Sequence, residues 1–271
     1  MITFILLFKN KMDKTNHIKQ YKTLGYVQIK NFFEIDNINK VRELIKTNGF
    51  DNKKSEIYYE EINGEKKIRR VENLAKNYKE FKNLIYNKLL QEYLFDIFGE
   101  KSFLFKEKLN FKPSKGGGKF RMHIDGHFDW FDSNNNKKQG WREYGNQFVN
   151  VVVPIESSTI QNGCLYVCKI SQTTDYFGNN WQQIRSRLDG SGPHLKTDDE
   201  KKFKKIYIEQ EPTDLLLFDW RCVHGSEQNM SDYERPILYL TYNSYSDGDN
   251  LDNYYYDKKF SKNTSKNKSL Y

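Results

Sequence analysis

The chain has 271 residues, 15% of them aromatic with 19 Tyr and 19 Phe, and a formal charge of +8. That length suits one large β domain or two small ones, and the aromatic content supplies a core, so a disordered chain is excluded despite a mean hydropathy of −0.88. The positive balance admits nucleic acid or an acidic substrate as partner. Lys and Asn are spread along the whole chain, however, and Lys258, Lys259, Lys262, Lys266 and Lys268 crowd its last stretch. No base-stacking motif or basic helix accompanies them, and no nucleic-acid partner is expected.

Met1 to Phe8 is apolar but short, and Lys9 and Lys11 follow it rather than precede it. It reads neither as a signal peptide nor as a membrane span. Met12 is the expected natural start, with residues 1–11 peripheral. Asp13 to Leu24 predicts a short amphipathic helix ended by Gly25, and Tyr26 to Lys30 a strand. Asp36 to Lys46 carries Ile38, Val41, Leu44 and Ile45 at helical spacing. Ser55 to Arg70 reads as a hairpin around Asn63-Gly64. Leu74 to Phe98 reads as one long helical stripe stopped by Gly99.

After residue 100 strands dominate. Leu104 to Lys112 alternates, with Phe105, Leu109 and Phe111 on one face and Lys106, Lys108, Asn110 and Lys112 on the other. Gly116-Gly117-Gly118 is a turn and not a phosphate loop, since no Gly-Lys-Ser/Thr or helix follows. Lys119 to Asp125, Phe148 to Val153, Gly163 to Cys168, Asp214 to Asp219 and Pro236 to Asn243 are further strands. They are separated by a polar loop at Ser133 to Lys138 and a polar excursion at residues 181–199. Past residue 246 the polar sequence is expected to fray. Helices followed by a run of strands predict an α+β chain with an antiparallel sandwich or barrel. A single domain is expected over residues 12–246, with a polar basic tail at 247–271.

Cys164, Cys168 and Cys222 form no disulfide or zinc pattern and read as core residues in a reducing, cytoplasmic compartment. Of the five histidines, His17 and His194 read as ordinary surface or core residues. His123-Ile124-Asp125 places an imidazole and a carboxylate two residues apart, which on a strand share a face. His224, ending a strand-like run, is the best third ligand. Two imidazoles and a carboxylate with open positions are the set used by non-haem Fe(II) oxygenases. Arg235 opens the next strand, where a guanidinium suits a dicarboxylate, and Ser226 shares a face with His224. Asn162-Gly163-Cys164-Leu165 supplies a tight turn between the two ligand segments.

At His123-Ile124-Asp125, Asn162-Gly163-Cys164-Leu165, His224-Gly225-Ser226, Asn229, Ser231 and Arg235 the sequence resembles the phytanoyl-CoA dioxygenase family of Fe(II)/2-oxoglutarate-dependent oxygenases. Tyr21 to Phe33 resembles the family's entry segment. The resemblance implies a double-stranded β-helix (jelly-roll) core with flanking amino-terminal helices. It implies His123, Asp125 and His224 as iron ligands, with Arg235 and Ser226 on the far carboxylate of 2-oxoglutarate. It also implies O2 as co-reactant, ascorbate as an in-vitro reductant, release of succinate and CO2, and hydroxylation of a small-molecule substrate.

Phe105 to Lys112 with the triple glycine is similar to the segment in 2-aminoethylphosphonate dioxygenase-like members, where Lys108 and Asn110 would meet an anionic substrate or the cosubstrate. The bland alternative is a solvated lysine face. His127, Asp129 and Trp130 are expected at the pocket mouth, His127 otherwise being a supporting or surface residue. The inserts at Asn134 to Lys138 and 181–199 depart from those members, which leaves an acyl-CoA or natural-product intermediate open as substrate. A halogenase is disfavoured by Asp125, and a non-catalytic jelly-roll binding module by the intact set with Arg235. The sequence says nothing of the oligomeric state.

Overall fold

The structure, a computed structural model, describes residues 2–178 and 194–260, with backbone alone for 2–12 and 177. Most of the 181–199 excursion and residues 261–271 of the tail lie outside the described residues. In chain order the elements are α1 (Ile2–Leu24), β1 (Tyr26–Ile29), α2 (Ile35–Lys46), β2 (Glu56–Ile62), β3 (Glu65–Glu72), α3 (Lys82–Ile85), α4 (Lys88–Phe98), β4 (Ser102–Asn110), β5 (Phe120–His123), β6 (Asp129–Phe131) and β7 (Lys137–Gln139). There follow β8 (Phe148–Pro154), β9 (Leu165–Val167), α5 (Ile170–Phe177), α6 (Thr197–Glu200), β10 (Ile206–Tyr207), β11 (Leu215–Asp219), β12 (His224–Ser226), β13 (Ile237–Ser244) and α7 (Leu251–Phe260). No helix among the described residues is long and apolar enough to cross a membrane.

Two antiparallel sheets face one another. The larger runs β1-β11-β8-β13-β4-β3-β2 and the smaller β10-β9-β12-β5. This is the jelly-roll core of an α+β chain, with α1, α2 and α4 on its flank. Strand β8 shows why its apolar run is unbroken. Val149, Val151 and Val153 pack under the helices, while Val152 packs between the sheets with Leu165, Val167, Leu216 and Phe218. A strand covered on both faces needs apolar residues at every position, and Asn150 is the exception.

Several expectations change. The helix expected from Asp13 begins at Ile2, because no Gly or Pro interrupts residues 2–24. The stripe from Leu74 to Phe98 is not one helix. The Glu107 carboxylate accepts from the Leu74 amide at 2.8 Å, holding that segment off the helix, and Asn87 caps α4 by accepting from Leu90 N at 3.0 Å. The alternation of β4 slips at Phe105, where a bulge lies opposite Thr241 and Tyr242, so Phe105 joins Trp141, Phe148 and Trp220 instead of sharing a cluster with Leu109. The polar loop after Phe131 is the tip of the β6–β7 hairpin.

The segment after residue 246 is ordered as far as Phe260. In α7, Tyr254 is buried, the Tyr255 hydroxyl donates to Glu107 O at 2.6 Å, and Lys258 pairs with Glu72. Glu72 is fully buried on β3 and also faces Arg70 Nε at 3.1 Å. Burial pushes its carboxyl up, but the charges of Lys258 and Arg70 outweigh that and hold it at about 2. Removing one partner from a buried ion cluster is costly. Lys258→Met is expected to destabilise the protein by about 3–5 kcal/mol at pH 7 in urea denaturation. Glu72 stabilises the fold above its ordinary value of 4.5 and loses that contribution as pH falls toward 2. The deficit of the variant is therefore expected to narrow across that interval; a deficit independent of pH would contradict the assignment.

Candidate metal centre

The register of the smaller sheet sets the site. Strands β12 and β5 pair with His224 opposite His123, and the two imidazole centroids lie 4.2 Å apart. Asp125 is not on the strand with His123, as the two-residue spacing suggests; β5 ends at His123 and Asp125 sits in the turn that follows. Gly126 makes that turn possible, with φ +70 and an added Cβ that would meet the Trp141 side chain at 2.8 Å. The result brings Asp125 Oδ1 to 3.7 Å from His123 Nε2 and Asp125 Oδ2 to 3.5 Å from His224 Nε2. One ligand atom from each of the three residues lies within 4.8 Å of the others.

Both imidazoles are held from behind in the same way. His123 Nδ1 lies 2.7 Å from Arg121 O, and His224 Nδ1 lies 2.9 Å from Cys222 O. A carbonyl can only accept, so each Nδ1 carries the proton and each Nε2 presents a lone pair to the centre. Burial and the neighbouring His224 push the His123 imidazole down to about 3, so it is neutral and ready to ligate. Burial works against ionisation of Asp125, but His224, His123, Lys108 and Lys106 outweigh it and lower its pKa.

Asp125 has its own support, which the sequence reading misses. Asn150 Nδ2 donates to Asp125 Oδ2 at 2.8 Å, and Thr241 Oγ1 donates to Asn150 Oδ1 at 2.8 Å. Both are buried on the inner face of the larger sheet. The signal for Asn150 is an amide in an otherwise apolar strand.

The donor set fits a divalent transition metal. It offers two neutral imidazoles and one carboxylate from one side, and the group of described residues able to ligate contains no fourth member. That leaves positions open for other ligands, as a facial set does. The cavity over the set is lined by Lys106, Lys108, Asn110, Trp141, Ser226 and Tyr239 among others. Lys108 is pushed down to about 7 by burial and by Lys106, and it lies 5.3 Å from the Tyr239 ring. Asn110 Oδ1 is buried without a partner. Arg235, 1% exposed, donates from Nε to Asn162 O at 3.3 Å and keeps a buried Nη1 with no partner. Ser226 is buried and takes a 2.8 Å hydrogen bond from Lys112 Nζ.

The other histidines stand apart from the centre. His127 is buried against Trp220, its Nδ1 3.0 Å from Asp125 O, so it braces the turn. Asp129 pairs with Lys137 at 2.9 Å and Trp130 is buried; none of these three lines the cavity, contrary to expectation. His17 bonds Tyr93, and His194 is buried. The three cysteines are free and buried.

Comparison with known proteins adds independent findings. The family model described as Phytanoyl-CoA dioxygenase (PhyH) matches residues 21–237. A 2-aminoethylphosphonate dioxygenase from an uncultured bacterium (HF130_AEPn_1) is 28% identical over 204 residues, 72% of this chain. The match spans 66% of that relative, just under two thirds of its length. A methylphosphonate hydroxylase from Gimesia maris is 24% identical over 251 residues, covering 90% of this chain and 86% of the relative. Among solved structures, EctD from S. alaskensis with 2-oxoglutarate and 5-hydroxyectoine superposes with a TM-score of 0.63 at 17% identity, covering 86% of this chain and 76% of that one. The epimerase SnoN with Fe3+, alpha ketoglutarate and nogalamycin RO gives 0.63 at 13% identity, covering 86% and 84%. At such identities these two likenesses concern the fold.

Asn150→Ala keeps the three ligand side chains but frees Asp125 Oδ2. Loss of such a supporting partner is expected to weaken Fe(II) binding about 10- to 100-fold in anaerobic equilibrium dialysis, with the far-UV spectrum unchanged. Unaltered Fe(II) affinity would contradict the role given to Asn150.

Proposed function

The chain belongs to the phytanoyl-CoA dioxygenase family, and from this we propose that it is an Fe(II)- and 2-oxoglutarate-dependent dioxygenase that hydroxylates a small anionic, phosphonate-like metabolite. The observation that carries the reading is the convergence of His123, Asp125 and His224 with both imidazole Nε2 atoms turned to one point. These three residues would hold the iron. Bound there with 2-oxoglutarate, Fe(II) supplies the activation of O2 that couples oxidative decarboxylation to succinate and CO2 with hydroxylation of a substrate C–H bond.

The chain's own residues then have separable tasks. Arg235 Nη1, buried and without a hydrogen-bond partner, supplies the charge for the far carboxylate of 2-oxoglutarate, and Ser226, which lines the cavity, supplies a hydroxyl. Trp141, Leu165 and Phe218 give the cavity apolar walls that limit bulk water at the centre. Asn150 and Thr241 keep Asp125 oriented.

Lys106 and Lys108 line the cavity that also contains Asp125, and Glu72, a buried carboxylate that acts on both, is already engaged by Lys258 and Arg70. Two lysines in a low-dielectric cavity favour an anion. The names of the two relatives, both acting on phosphonates, agree with that preference. We assign Lys108, with Lys106, to the substrate anion, and Asn110, whose Oδ1 lacks a partner, to a donor group on the substrate.

Asp125→Ala is expected to abolish 2-oxoglutarate-dependent turnover, read as succinate release in air. With a panel of small phosphonates and carboxylates, at least one anion is expected to stimulate succinate release. For that substrate Lys108→Met is expected to raise KM about tenfold or more. Stimulation only by uncharged compounds would overturn the substrate class without touching the reaction class.

A further inference from the structure

The turn Asn162-Gly163 points two successive carbonyls at two different cations. Asn162 O accepts from Arg235 Nε at 3.3 Å, and Gly163 O lies 3.3 Å from Lys112 Nζ. Lys112 is 2% exposed, and its Nζ also reaches Ser226 Oγ at 2.8 Å and the Glu227 carbonyl. Its backbone is tied to the same place, since Lys112 O accepts from Arg235 N at 3.1 Å and Asn229 Nδ2 at 2.8 Å. Gly163 leaves the room for this arrangement. It has φ +72, and a Cβ there would lie 2.9 Å from Lys112 Nζ and 2.4 Å from Glu227 O.

What this cluster lacks is a negative charge. The three oxygens around Lys112 Nζ are neutral. The Glu227 carboxylate turns to Lys205 at 2.6 Å and Lys119 at 3.5 Å, and Glu60 faces Arg69. No carboxylate among the described residues pairs with Lys112 or Arg235. A buried guanidinium beside a buried lysine, with no carboxylate paired to them, leaves a place for the charge of an anion.

We propose that Lys112 is a positioning residue for the far carboxylate of 2-oxoglutarate, acting through Ser226. This rests on the reading of Arg235 and Ser226 given above. With the cosubstrate bound, the Lys112 ammonium donates to Ser226 Oγ and occupies it as an acceptor. The serine hydrogen is then turned toward the carboxylate held by Arg235 Nη1. The charge of Lys112 adds to that of Arg235 in favouring a dicarboxylic 2-oxo acid over a monocarboxylic one. Burial and the Arg235 charge push Lys112 down to about 6 in the free protein, against the smaller upward pull of Glu227, Cys164 and Glu60. An arriving carboxylate raises it again, so binding near neutral pH takes up a proton.

The test is anaerobic calorimetry of the full chain with Fe(II), titrated with 2-oxoglutarate and with 2-oxopentanoate, which lacks the far carboxylate. Lys112→Met is expected to weaken 2-oxoglutarate about tenfold or more and leave 2-oxopentanoate unchanged. Ser226→Ala is expected to show the same selective loss, and the double variant no more than either single one. Wild type is expected to take up a proton with 2-oxoglutarate above pH 6, seen by repeating the titration in buffers of different ionisation enthalpy. Equal weakening of both acids, or losses that add in the double variant, would overturn the inference. So would wild-type binding without proton uptake, a result that needs no variant to fold. Failure of wild type to bind 2-oxoglutarate at all would instead defeat the cosubstrate reading on which the inference rests.

Discussion

Everything in this molecule that bears on chemistry hangs on the pairing of β12 with β5, which sets His224 directly across from His123. Adjacent antiparallel strands hold opposed residues at a nearly fixed separation, and a slip of one residue would send one imidazole to the far face of the sheet. The same register aligns two carbonyls, Arg121 O and Cys222 O, behind the two rings. Sheet geometry thus fixes position, tautomer and direction together. Asp125 completes the set from outside the sheet, and so needs separate devices: the Gly126 turn, the packing of Trp141 against it, and the Asn150–Thr241 hydrogen bonds reaching across from the other sheet.

The second constraint is charge in a dry interior. Lys106 and Lys108 line the cavity over the metal-ligating set, Lys112 and Arg235 are buried near Ser226 and the Asn162-Gly163 turn, and burial lowers the pKa of each of the three lysines. Natural proteins tolerate such groups where a ligand supplies the missing charge or where structure compensates. Both solutions occur here. On the β3 side, Glu72 with Arg70 and the α7 residue Lys258 forms a closed ion cluster. On the Arg235 side no carboxylate among the described residues closes the balance, which is why that end reads as the seat of an anion.

Much of this is legible in the amino-acid order, for stated reasons. Strands β8, β11 and β13 announce themselves by apolar runs, and the His123, Asp125 and His224 pattern stands out because the chain has only five histidines. What escapes is whatever depends on pairing across the fold. Asn150 reads as a blemish in a hydrophobic strand until Asp125 is seen opposite it. Lys112 reads as one more lysine on a strand of lysines until Gly163, Ser226 and Arg235 close around it. The bulge at Phe105, set by the pairing with β13, and the non-helical start of the Leu74 to Phe98 stripe, held by the Glu107 carboxylate, are likewise tertiary choices made against the local pattern. The polar composition after residue 246 hides α7 because its anchors, Tyr254, Tyr255 and Lys258, are amphipathic side chains that bury their stems and spend their polar ends on internal partners.

The most direct measurement is the anaerobic stoichiometry and order of ligand binding. The full chain is expected to bind one Fe(II), and 2-oxoglutarate to bind tightly only once iron is present, because its two ends are held by different parts of the site. Loss of Fe(II) binding in His224→Ala together with loss of tight 2-oxoglutarate binding would agree with that. Iron bound equally well without His224, or 2-oxoglutarate bound with full affinity in the absence of any metal, would contradict it.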